Sequence, residues 1–250
     1  MRGVFTDIDD TLTTDGRVSA DVFSAMERLQ AAGLLCVPIT GRPAGWCDLI
    51  ARQWPVDAVV GENGAFYFRY DQDARQMIRV FVDDAEARAR NTKRLQVIRD
   101  EVLAEVPGAA VSADQAFRIS DLAIDFCEDV APLGEQDIAG IVEVFTRHGA
   151  TAKVSSIHVN GWFGDFDKLT MTRQLMSEQF AVNLEKEVQD FTFVGDSPND
   201  APMFRYFPKA VGVANLRDLL DLCDASPAWI TAQPRGGGFV ELVDRVLSLR

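Results

Sequence analysis

Two short apolar runs in the sequence are each followed by a group of acidic residues. The aspartates concerned are Asp7, Asp9 and Asp10 in and after the first run, and Asp196 and Asp200 after the second. Carboxylates repel each other at close range unless a cation lies between them. Oxygen ligands suit Mg²⁺, which keeps several waters and favours phosphate-bearing substrates. If the fold brings the two groups together, these residues indicate magnesium-assisted phosphate chemistry.

The elements that must position these aspartates alternate between strand and helix. Apolar runs at 4–8, 34–39 and 56–60 predict buried strands, and segments 19–29 and 43–53 predict the helices between them. This order is typical of parallel crossovers, so we expect an α/β fold with a doubly wound parallel sheet. Ligands bind at the carboxyl ends of the strands in such sheets, which is where the acidic residues lie.

The pattern changes in the middle of the chain and then returns. The middle predicts, in order, a hairpin over 65–82, a helix over 84–105, strands over 117–120 and 122–126, a helix over 135–148 and a strand region over 152–159. This order is typical of an α+β unit. We therefore predict a core of residues 1–82 and 163–250, interrupted by an inserted unit at residues 83–162, called the insert below.

The sequence also predicts an exposed sheet face and a flexible glycine segment. The acidic residues within 121–128 alternate with apolar ones, which predicts one exposed face of a sheet. Gly236–Gly238 is expected to be a flexible lead-in to a final amphipathic helix over 239–247. The rest of the C-terminal part predicts a helix over 168–180, strands over 191–194, 210–213 and 229–231, and a helix over 199–206.

Composition excludes several classes of function. The 250 residues include 25 Lys and Arg against 38 Asp and Glu, a net charge of −13, which argues against nucleic acid and anionic membranes as partners. There is no apolar run long enough to span a bilayer and no secretory signal pattern at the N-terminus. We therefore expect a cytoplasmic protein, a monomer or a homodimer, with its four cysteines reduced. Two histidines and no CxxC pair argue against a zinc site.

Four motifs in order resemble those of the haloacid dehalogenase superfamily, whose members are mostly phosphatases. The matching residues are Asp7-Ile8-Asp9-Asp10-Thr11 for the first motif, Thr40 for the second, Lys168 for the third and Gly195-Asp196-Ser197-Pro198-Asn199-Asp200 for the fourth. The long gap before Lys168 would hold the insert, as in the C2 cap class. The fourth motif and the segment 62–65 are similar to the IIB branch, which includes sucrose-phosphate, trehalose-phosphate, mannosyl-phosphoglycerate and Cof-type phosphatases. Asp10 is a small departure, since many relatives have glycine there.

The resemblance implies a role for each matching residue. Asp7 would be the nucleophile that forms an aspartyl-phosphate, and Asp9 would be the general acid and then the general base. Thr40 and Lys168 would bind the phosphoryl oxygens and stabilise the transition state. The implied cofactor is Mg²⁺, and the implied metal-site residues are Asp7, Asp9 through its carbonyl, Asp196, Asn199 and Asp200. The last two would act through waters or on the lysine.

The remaining candidates lie around the implied phosphate site. Thr11, Gly41, Arg42 and Asn63 are candidates for substrate binding, together with Thr40 and Lys168. Arg42 either reaches the substrate or the insert, or forms a structural ion pair. Asn63 either faces the substrate or belongs to an Asn-Gly turn.

Residues near the end of the insert have two interpretations. His158, Asn160 and Trp162 stand where the chain returns to the core, so they could overhang the site. Trp162 is also typical of hinge packing, and Gly161 and Gly164 fit a hinge that lets the insert open and close.

The function indicated is a Mg²⁺-dependent phosphohydrolase that cleaves a small phosphate monoester through an aspartyl-phosphate. The resemblance favours a sugar phosphate or a phosphoglycerate-type ester, so the expected partner is a small phosphorylated metabolite. Two alternatives stay open. One is a phosphotransferase or phosphomutase of the same branch, and the other is a non-catalytic sugar-phosphate-binding protein.

Overall fold

A computed structural model describes residues 1–249 of the chain. Within them, the strands are β1 (Gly3–Thr6), β2 (Thr13–Thr14), β3 (Arg17–Val18), β4 (Leu35–Pro38), β5 (Val59–Gly61), β6 (Phe66–Asp71), β7 (Gln76–Phe81), β8 (Ala110–Val111), β9 (Leu122–Asp125), β10 (Thr151–Val154), β11 (His158–Trp162), β12 (Phe191–Gly195), β13 (Val211–Gly212) and β14 (Trp229–Ile230). The α-helices are α1 (Ala20–Ala31), α2 (Ala44–Gln53), α3 (Ala85–Glu105), α4 (Glu135–Arg147), α5 (Lys168–Phe180), α6 (Leu184–Glu187), α7 (Ala201–Tyr206) and α8 (Arg235–Ser248).

The central sheet is parallel and has the strand order β14-β13-β12-β1-β4. β1 lies in the middle, with Phe5 opposite Phe193 of β12 and Val37 of β4. Val4 joins the apolar cluster formed by α1 and α8, whereas Phe5 joins the cluster formed by α5 and α7. Successive residues of a strand point to opposite faces, so both faces of this sheet are covered by helices. The predicted α/β class with a parallel sheet is confirmed.

The next part of the chain extends the sheet with antiparallel strands. A single parallel bridge from Ile39 to Val60 connects the end of β4 to β5. β5, β6 and β7 then pair antiparallel, which confirms the predicted hairpin over 65–82.

Helices begin where the sequence supplies capping side chains. Asp84 accepts a hydrogen bond from the N–H of Ala87 at 2.7 Å, at the start of α3. Asp167 does the same for Thr170 at 2.7 Å, at the start of α5, and Ser19 caps α1. These side chains bond N–H groups that the first turn of a helix leaves free, which fixes the first residue of each helix.

A second sheet lies within the chain range of the insert. It is antiparallel, with the order β10-β11-β9-β8, and it packs against α3 and α4. It has an apolar cluster of its own, which includes Ile98, Val102, Ile141, Phe145 and Val159. The assignment of residues 83–162 to a separate domain stays a prediction.

Two predicted strands of the insert are wrong in detail. Residues 117–120 form no strand, because the N–H groups of Ile119 and Ser120 donate to the carboxylate of Glu62 instead of to a neighbouring strand. The region 152–159 is two strands joined at Ser155, whose hydroxyl accepts a hydrogen bond from the N–H of His158 at 3.0 Å.

The expected exposed acidic face within 121–128 is also wrong. Asp121 and Asp125 are 4% and 1% exposed. The Asp125 carboxylate accepts hydrogen bonds from the backbone N–H groups of residues 127, 128 and 129. Asp121 pairs with Arg118 at 3.0 Å. Buried acids are tolerated when they have such partners.

Gly236–Gly238 is not a flexible lead-in, because α8 already begins at Arg235. A Cβ atom on Gly236 would lie 2.8 Å from the carbonyl oxygen of Leu12. Glycine therefore lets the first turn of α8 approach the chain that follows β1.

Two further observations bear on the sequence expectations. No helix within residues 1–249 is both long enough and apolar enough to cross a bilayer. The four cysteines, Cys36, Cys47, Cys127 and Cys223, are free thiols.

Gly161 provides a test of packing in the second sheet. A Cβ atom there would lie 2.1 Å from a ring carbon of Phe145, which is fully buried. We therefore assign Gly161 to close packing rather than to a hinge. Gly161→Ala is expected to lower the free energy of unfolding by about 1–3 kcal/mol, because the ring must move within a filled cluster.

Gly140→Ala is the matched control for this substitution in urea denaturation. Its Cβ atom would lie 3.6 Å from a methyl of Val106, an ordinary contact, and Gly140 is within α4. This variant is expected to gain up to about 1 kcal/mol from helix propensity. Equal stability of Gly161→Ala and the wild type would contradict the packing assignment.

Candidate active site

Three loops that carry polar residues meet at one edge of the central sheet. β12, β1 and β4 are adjacent and parallel, so the loops that follow them share that edge. These loops contain Asp196, Asp7 and Thr40. Lys168 reaches the same place as the first residue of α5.

A group of carboxylates surrounds the amine of Lys168. Asp7, Asp196 and Asp200 each offer one carboxylate oxygen, and these atoms lie within 4.8 Å of one another. Nζ of Lys168 donates to Oδ1 of Asp7 at 2.8 Å and to Oδ1 of Asp200 at 3.0 Å. The hydroxyl of Thr11 donates to Oδ1 of Asp196 at 3.0 Å. All five side chains belong to residues that are at most 8% exposed, so water screens these charges little.

Burial and mutual repulsion disfavour the charged forms of the aspartates. Burial raises the pKa of Asp7 to about 7, with Lys168 opposing the rise and Asp200 and Asp9 adding to it. Burial, Asp7 and Asp200 raise the pKa of Asp196 well above its usual range. Burial alone would lower the pKa of Lys168, but Asp200 and Asp7 raise it above its ordinary value, so the amine stays protonated.

A divalent cation fits this group. Three carboxylates and one ammonium leave two excess negative charges when all are ionised, and that excess adds to the effect of burial on the pKa values of Asp7 and Asp196. Oxygen donors without nitrogen or sulfur suit Mg²⁺. Asp7 and Asp196 are the residues that would hold it. Asp200 already accepts hydrogen bonds from Lys168 and, at 3.2 Å, from the backbone N–H of Asp196.

Two residues of the implied metal site make other contacts. The Asp9 carboxylate lies outside the group of three and faces Arg42. Oδ1 of Asn199 accepts a hydrogen bond from the hydroxyl of Ser197 at 2.8 Å. A role for the Asp9 carbonyl and for Asn199 at the metal stays a prediction.

Arg42 connects the core to the insert through ion pairs. Its Nε lies 3.0 Å from both carboxylate oxygens of Asp9, and its Nη2 lies 2.8 Å from one of them. Nη2 also donates to Glu128 at 2.9 Å, and Nη1 lies 3.6 Å from Asp114. The guanidinium stacks over the ring of Trp46, 4.5 Å from its centre. Of the interpretations of Arg42, the structure therefore shows the ion pair and the contact with the insert.

The Arg42 ion pairs continue to a buried histidine. Nε2 of His158 lies 2.9 Å from Oε2 of Glu128, and His158 is 2% exposed. Contact with His158, and then with Arg42, lowers the pKa of Glu128 to about 2 although burial opposes this. Glu128 is therefore a fixed negative charge on the insert side of the site.

Thr40 and Asn63 shape the loop after β4. Thr40 is fully buried, and its hydroxyl accepts a hydrogen bond from the N–H of Arg42 at 3.0 Å. The N–H of Asn63 donates to the carbonyl of Thr40 at 3.1 Å. Asn63 has a φ of +55°, which fits a turn, and it borders the cavity; a contact with the substrate stays a prediction. Its amide also lies against Gly41, where a Cβ atom would be 3.2 Å away.

A cavity of about 30 Å³ lies between the core and the insert. Its core side includes Asp7, Asp9 and Lys168, and its insert side is formed by Arg118, Ser155, Ser156, Ile157, His158 and Asn160. A space of this size holds about two waters, which is less than a phosphate ester occupies.

Some cavity residues were missed by sequence reasoning. His158 and Asn160 do overhang the site as predicted, whereas Trp162 packs against Phe166 instead. Arg118, Ser155 and Ser156 were not predicted. The one available signal was the spacing of Arg118 from the acids four residues before and three residues after it, which it pairs with in the fold.

A family model matches the N-terminal third of the chain, which carries the first two motifs. Residues 4–88 match the family model of haloacid dehalogenase-like hydrolases. The predicted resemblance to the haloacid dehalogenase superfamily is confirmed. The matched segment contains Asp7, Asp9, Thr11 and Thr40. No curated protein matches the sequence.

Solved structures extend the similarity to the whole chain. Thermoplasma acidophilum 0175 is 16% identical, with a TM-score of 0.74 over 98% of this chain and 97% of that one. The sucrose-phosphatase from Synechocystis sp. PCC6803, solved with sucrose and phosphate, is 16% identical with a TM-score of 0.67 over 98% of each chain. A sugar phosphatase of HAD subclass IIB is 14% identical with a TM-score of 0.67 over 98% of this chain and 99% of that one. At these identities the likeness shows a shared fold.

The pKa of Asp7 predicts how stability depends on pH without divalent metal. Its ordinary value is 3.8 and its value in the folded protein is about 7, so the folded state binds more protons between these pH values. This contribution to stability is therefore lost as pH rises from about 4 to 7. Asp7→Asn removes the effect. The variant's gain in unfolding free energy over the wild type should grow through this window towards about 4 kcal/mol and then level off.

Urea denaturation in EDTA between pH 4 and 8 measures this difference. Asp48→Asn is the control of opposite sign, because the ion pairs of Asp48 with Arg52 and Arg79 lower its pKa although burial raises it. That variant should lose stability at neutral pH and recover it in acid. A constant difference between Asp7→Asn and the wild type across the range would contradict the buried-charge account.

Proposed function

We propose that the protein is a Mg²⁺-dependent phosphohydrolase that cleaves a small phosphate monoester through an aspartyl-phosphate on Asp7. The observation that carries the proposal is the group of Asp7, Asp196 and Asp200 around Lys168 at the edge of the parallel sheet. The match of residues 4–88 to a family of hydrolases supports it. Asp9 borders the same cavity and supplies a second carboxyl for proton transfer.

The hydrolysis divides into two transfers. In the first, a carboxylate oxygen of Asp7 attacks phosphorus in line, the bond to the leaving oxygen breaks, and Asp9 gives that oxygen a proton. In the second, Asp9 takes a proton from water, the water oxygen attacks phosphorus, and the bond to Asp7 breaks to release phosphate. Lys168 orients Asp7 through its 2.8 Å hydrogen bond and lies close enough to the attack site to stabilise the phosphoryl oxygens. Mg²⁺, when bound, screens the negative charges of the phosphate and the carboxylates.

The Arg42 ion pair imposes a condition on this mechanism. Asp9 accepts hydrogen bonds at both carboxylate oxygens from Arg42. These hydrogen bonds compete with the proton that the carboxyl group must carry and donate. Arg42 therefore turns away from Asp9 when the ester binds, and the substrate anion offers it a new partner.

The substrate class follows from the wall of the cavity and from the structural neighbours. The insert side presents hydroxyl, amide and guanidinium groups from Ser155, Ser156, Asn160 and Arg118. Such groups suit a leaving group with several hydroxyls or a carboxylate. A subclass IIB sugar phosphatase and a sucrose-phosphatase share the fold, which favours a sugar phosphate or a phosphoglycerate-type ester.

In this proposal the insert, residues 83–162, is a cap that opens and closes over the core. The small volume of the cavity requires such motion. Gly164, just after the insert, has a φ of +121°, a backbone conformation that residues other than glycine rarely adopt. A change of backbone direction at this point would let the insert move as one unit.

Phosphate release from a panel of phosphate esters, with Mg²⁺ and with EDTA, tests the proposal. Asp7→Asn should lower turnover by about 10³-fold or more while the protein stays folded, because it removes the nucleophile. Asp10→Asn is the matched control, since Asp10 pairs with Arg235 at 3.1 Å and lies outside the group of three carboxylates. It should keep most of the activity.

Other outcomes would contradict hydrolysis. Labelled phosphate that appears on an added sugar rather than in solution would indicate a phosphotransferase or mutase. Tight binding of sugar phosphates without turnover at any Mg²⁺ concentration would indicate a binding protein. Full activity of Asp7→Asn would overturn the mechanism.

A further inference from the structure

Glu62 is a fully buried acid at a point where three segments of the chain meet, and the proposed chemistry does not use it. Its Oε1 accepts hydrogen bonds from the backbone N–H groups of Ala44 and Ile119, both at 2.9 Å. Its Oε2 accepts one from the N–H of Ser120 at 2.6 Å, and Ile119 also lies within 3.2 Å of it. One carboxyl group therefore holds three backbone N–H groups.

These N–H groups come from both the core and the insert. Ala44 is the first residue of α2 and follows the loop that contains Thr40 and Arg42. Ile119 and Ser120 belong to the insert. Glu62 thus connects the loop of the phosphate site to the insert.

A second set of contacts strengthens the same junction. Nη1 of Arg118, which borders the cavity, donates to the carbonyl of Gly41 at 2.9 Å and to Asp121 at 3.0 Å. The side chain of Phe117 packs so closely on Gly45 that a Cβ atom there would lie 2.9 Å from it. The insert segment 117–121 therefore meets the core through specific contacts and not through loose apposition.

Opposing effects act on the pKa of Glu62 at this junction. Burial and the neighbouring Asp121 raise the pKa of Glu62 to about 8, whereas the N–H groups of Ile119 and Ser120 and the charge of Arg118 oppose the rise. An acid in such a place is costly unless its oxygens are satisfied. Separation of the insert from the core would leave this carboxyl without two of its three N–H donors.

We propose that Glu62 is a positioning residue that holds the insert closed on the core and thereby sets the affinity for the leaving group of the substrate. The inference rests on the proposed function for its effect on substrate affinity, but the closure itself is a property of the free protein. If entry of an ester separates the insert from the core, the bonds from Ile119 and Ser120 to Glu62 break and re-form in each cycle.

Hydrogen exchange of the full-length protein without substrate tests the closure directly. In Glu62→Ala, the amides of Ile119 and Ser120 should exchange about tenfold faster or more, while the amides of β1 and β12 keep their rates. Glu62→Gln should have a smaller effect. It keeps an acceptor for Ala44 and Ile119 but turns an amide N–H₂ towards the N–H of Ser120.

Glu241→Gln is the matched control. Glu241 also holds two backbone N–H groups, those of Ala232 and Gln233, but both lie in the core range and away from the cavity. This variant should leave exchange at Ile119 and Ser120 unchanged. Unchanged exchange there in Glu62→Ala would overturn the proposal. Equally faster exchange throughout β1 and β12 would also overturn it, because Glu62 would then support only overall stability.

Kinetics test the second half of the proposal on any ester that the wild type hydrolyses. Glu62→Ala should raise KM about tenfold and change kcat by less than about twofold, because closure contributes binding and not chemistry. A fall in kcat at unchanged KM would contradict it. Should no ester be hydrolysed, the proposed function fails, while the exchange measurement still decides whether Glu62 holds the insert closed.

Discussion

A single ammonium group, Nζ of Lys168, faces carboxylates at a place that water barely reaches. It hydrogen bonds Asp7 and Asp200, and Asp196 lies beside them. Burial raises the pKa values of Asp7 and Asp196, and the neighbouring carboxylates raise them further, because one positive charge cannot balance three negative ones. The strand order β12-β1-β4 and the start of α5 at Lys168 create this imbalance, and a divalent cation would remove it.

Ion pairs and hydrogen bonds to carboxylates also join the core to the insert. Arg42 balances Asp9 on the core and Glu128 on the insert, and Glu62 binds N–H groups from both sides. These contacts join the core to the insert beside the cavity. A site that forms an aspartyl-phosphate benefits from closure, because hydrolysis then depends on a positioned water rather than on bulk solvent. In the proposed function, the contacts that join the core to the insert would have to break to admit an ester.

Sequence reasoning predicted the parts of this arrangement that depend on local signals. The helices predicted to start at 19, 84 and 168 begin within one residue of those positions, because Ser19, Asp84 and Asp167 each cap the first turn that follows. Asp7, Thr40 and Asp196 meet because the carboxyl ends of neighbouring parallel strands share an edge. Their chemical roles and the ligand set remain predictions from the family resemblance.

The parts that could not be predicted depend on partners distant in the chain. The N–H groups of Ile119 and Ser120 donate to Glu62, which lies 57 and 58 residues earlier in the chain, and not to a neighbouring strand. Asp125 can lie buried because N–H groups of its own turn satisfy its carboxylate, although alternating acids usually indicate an exposed face.

The central claim is that the carboxylates of Asp7 and Asp196 bind a divalent cation, and anomalous diffraction from crystals soaked in Mn²⁺ tests it most directly. The account predicts a peak between Asp7 and Asp196 that is lost in Asp196→Asn. No peak there, or a peak that persists unchanged in the variant, would contradict it.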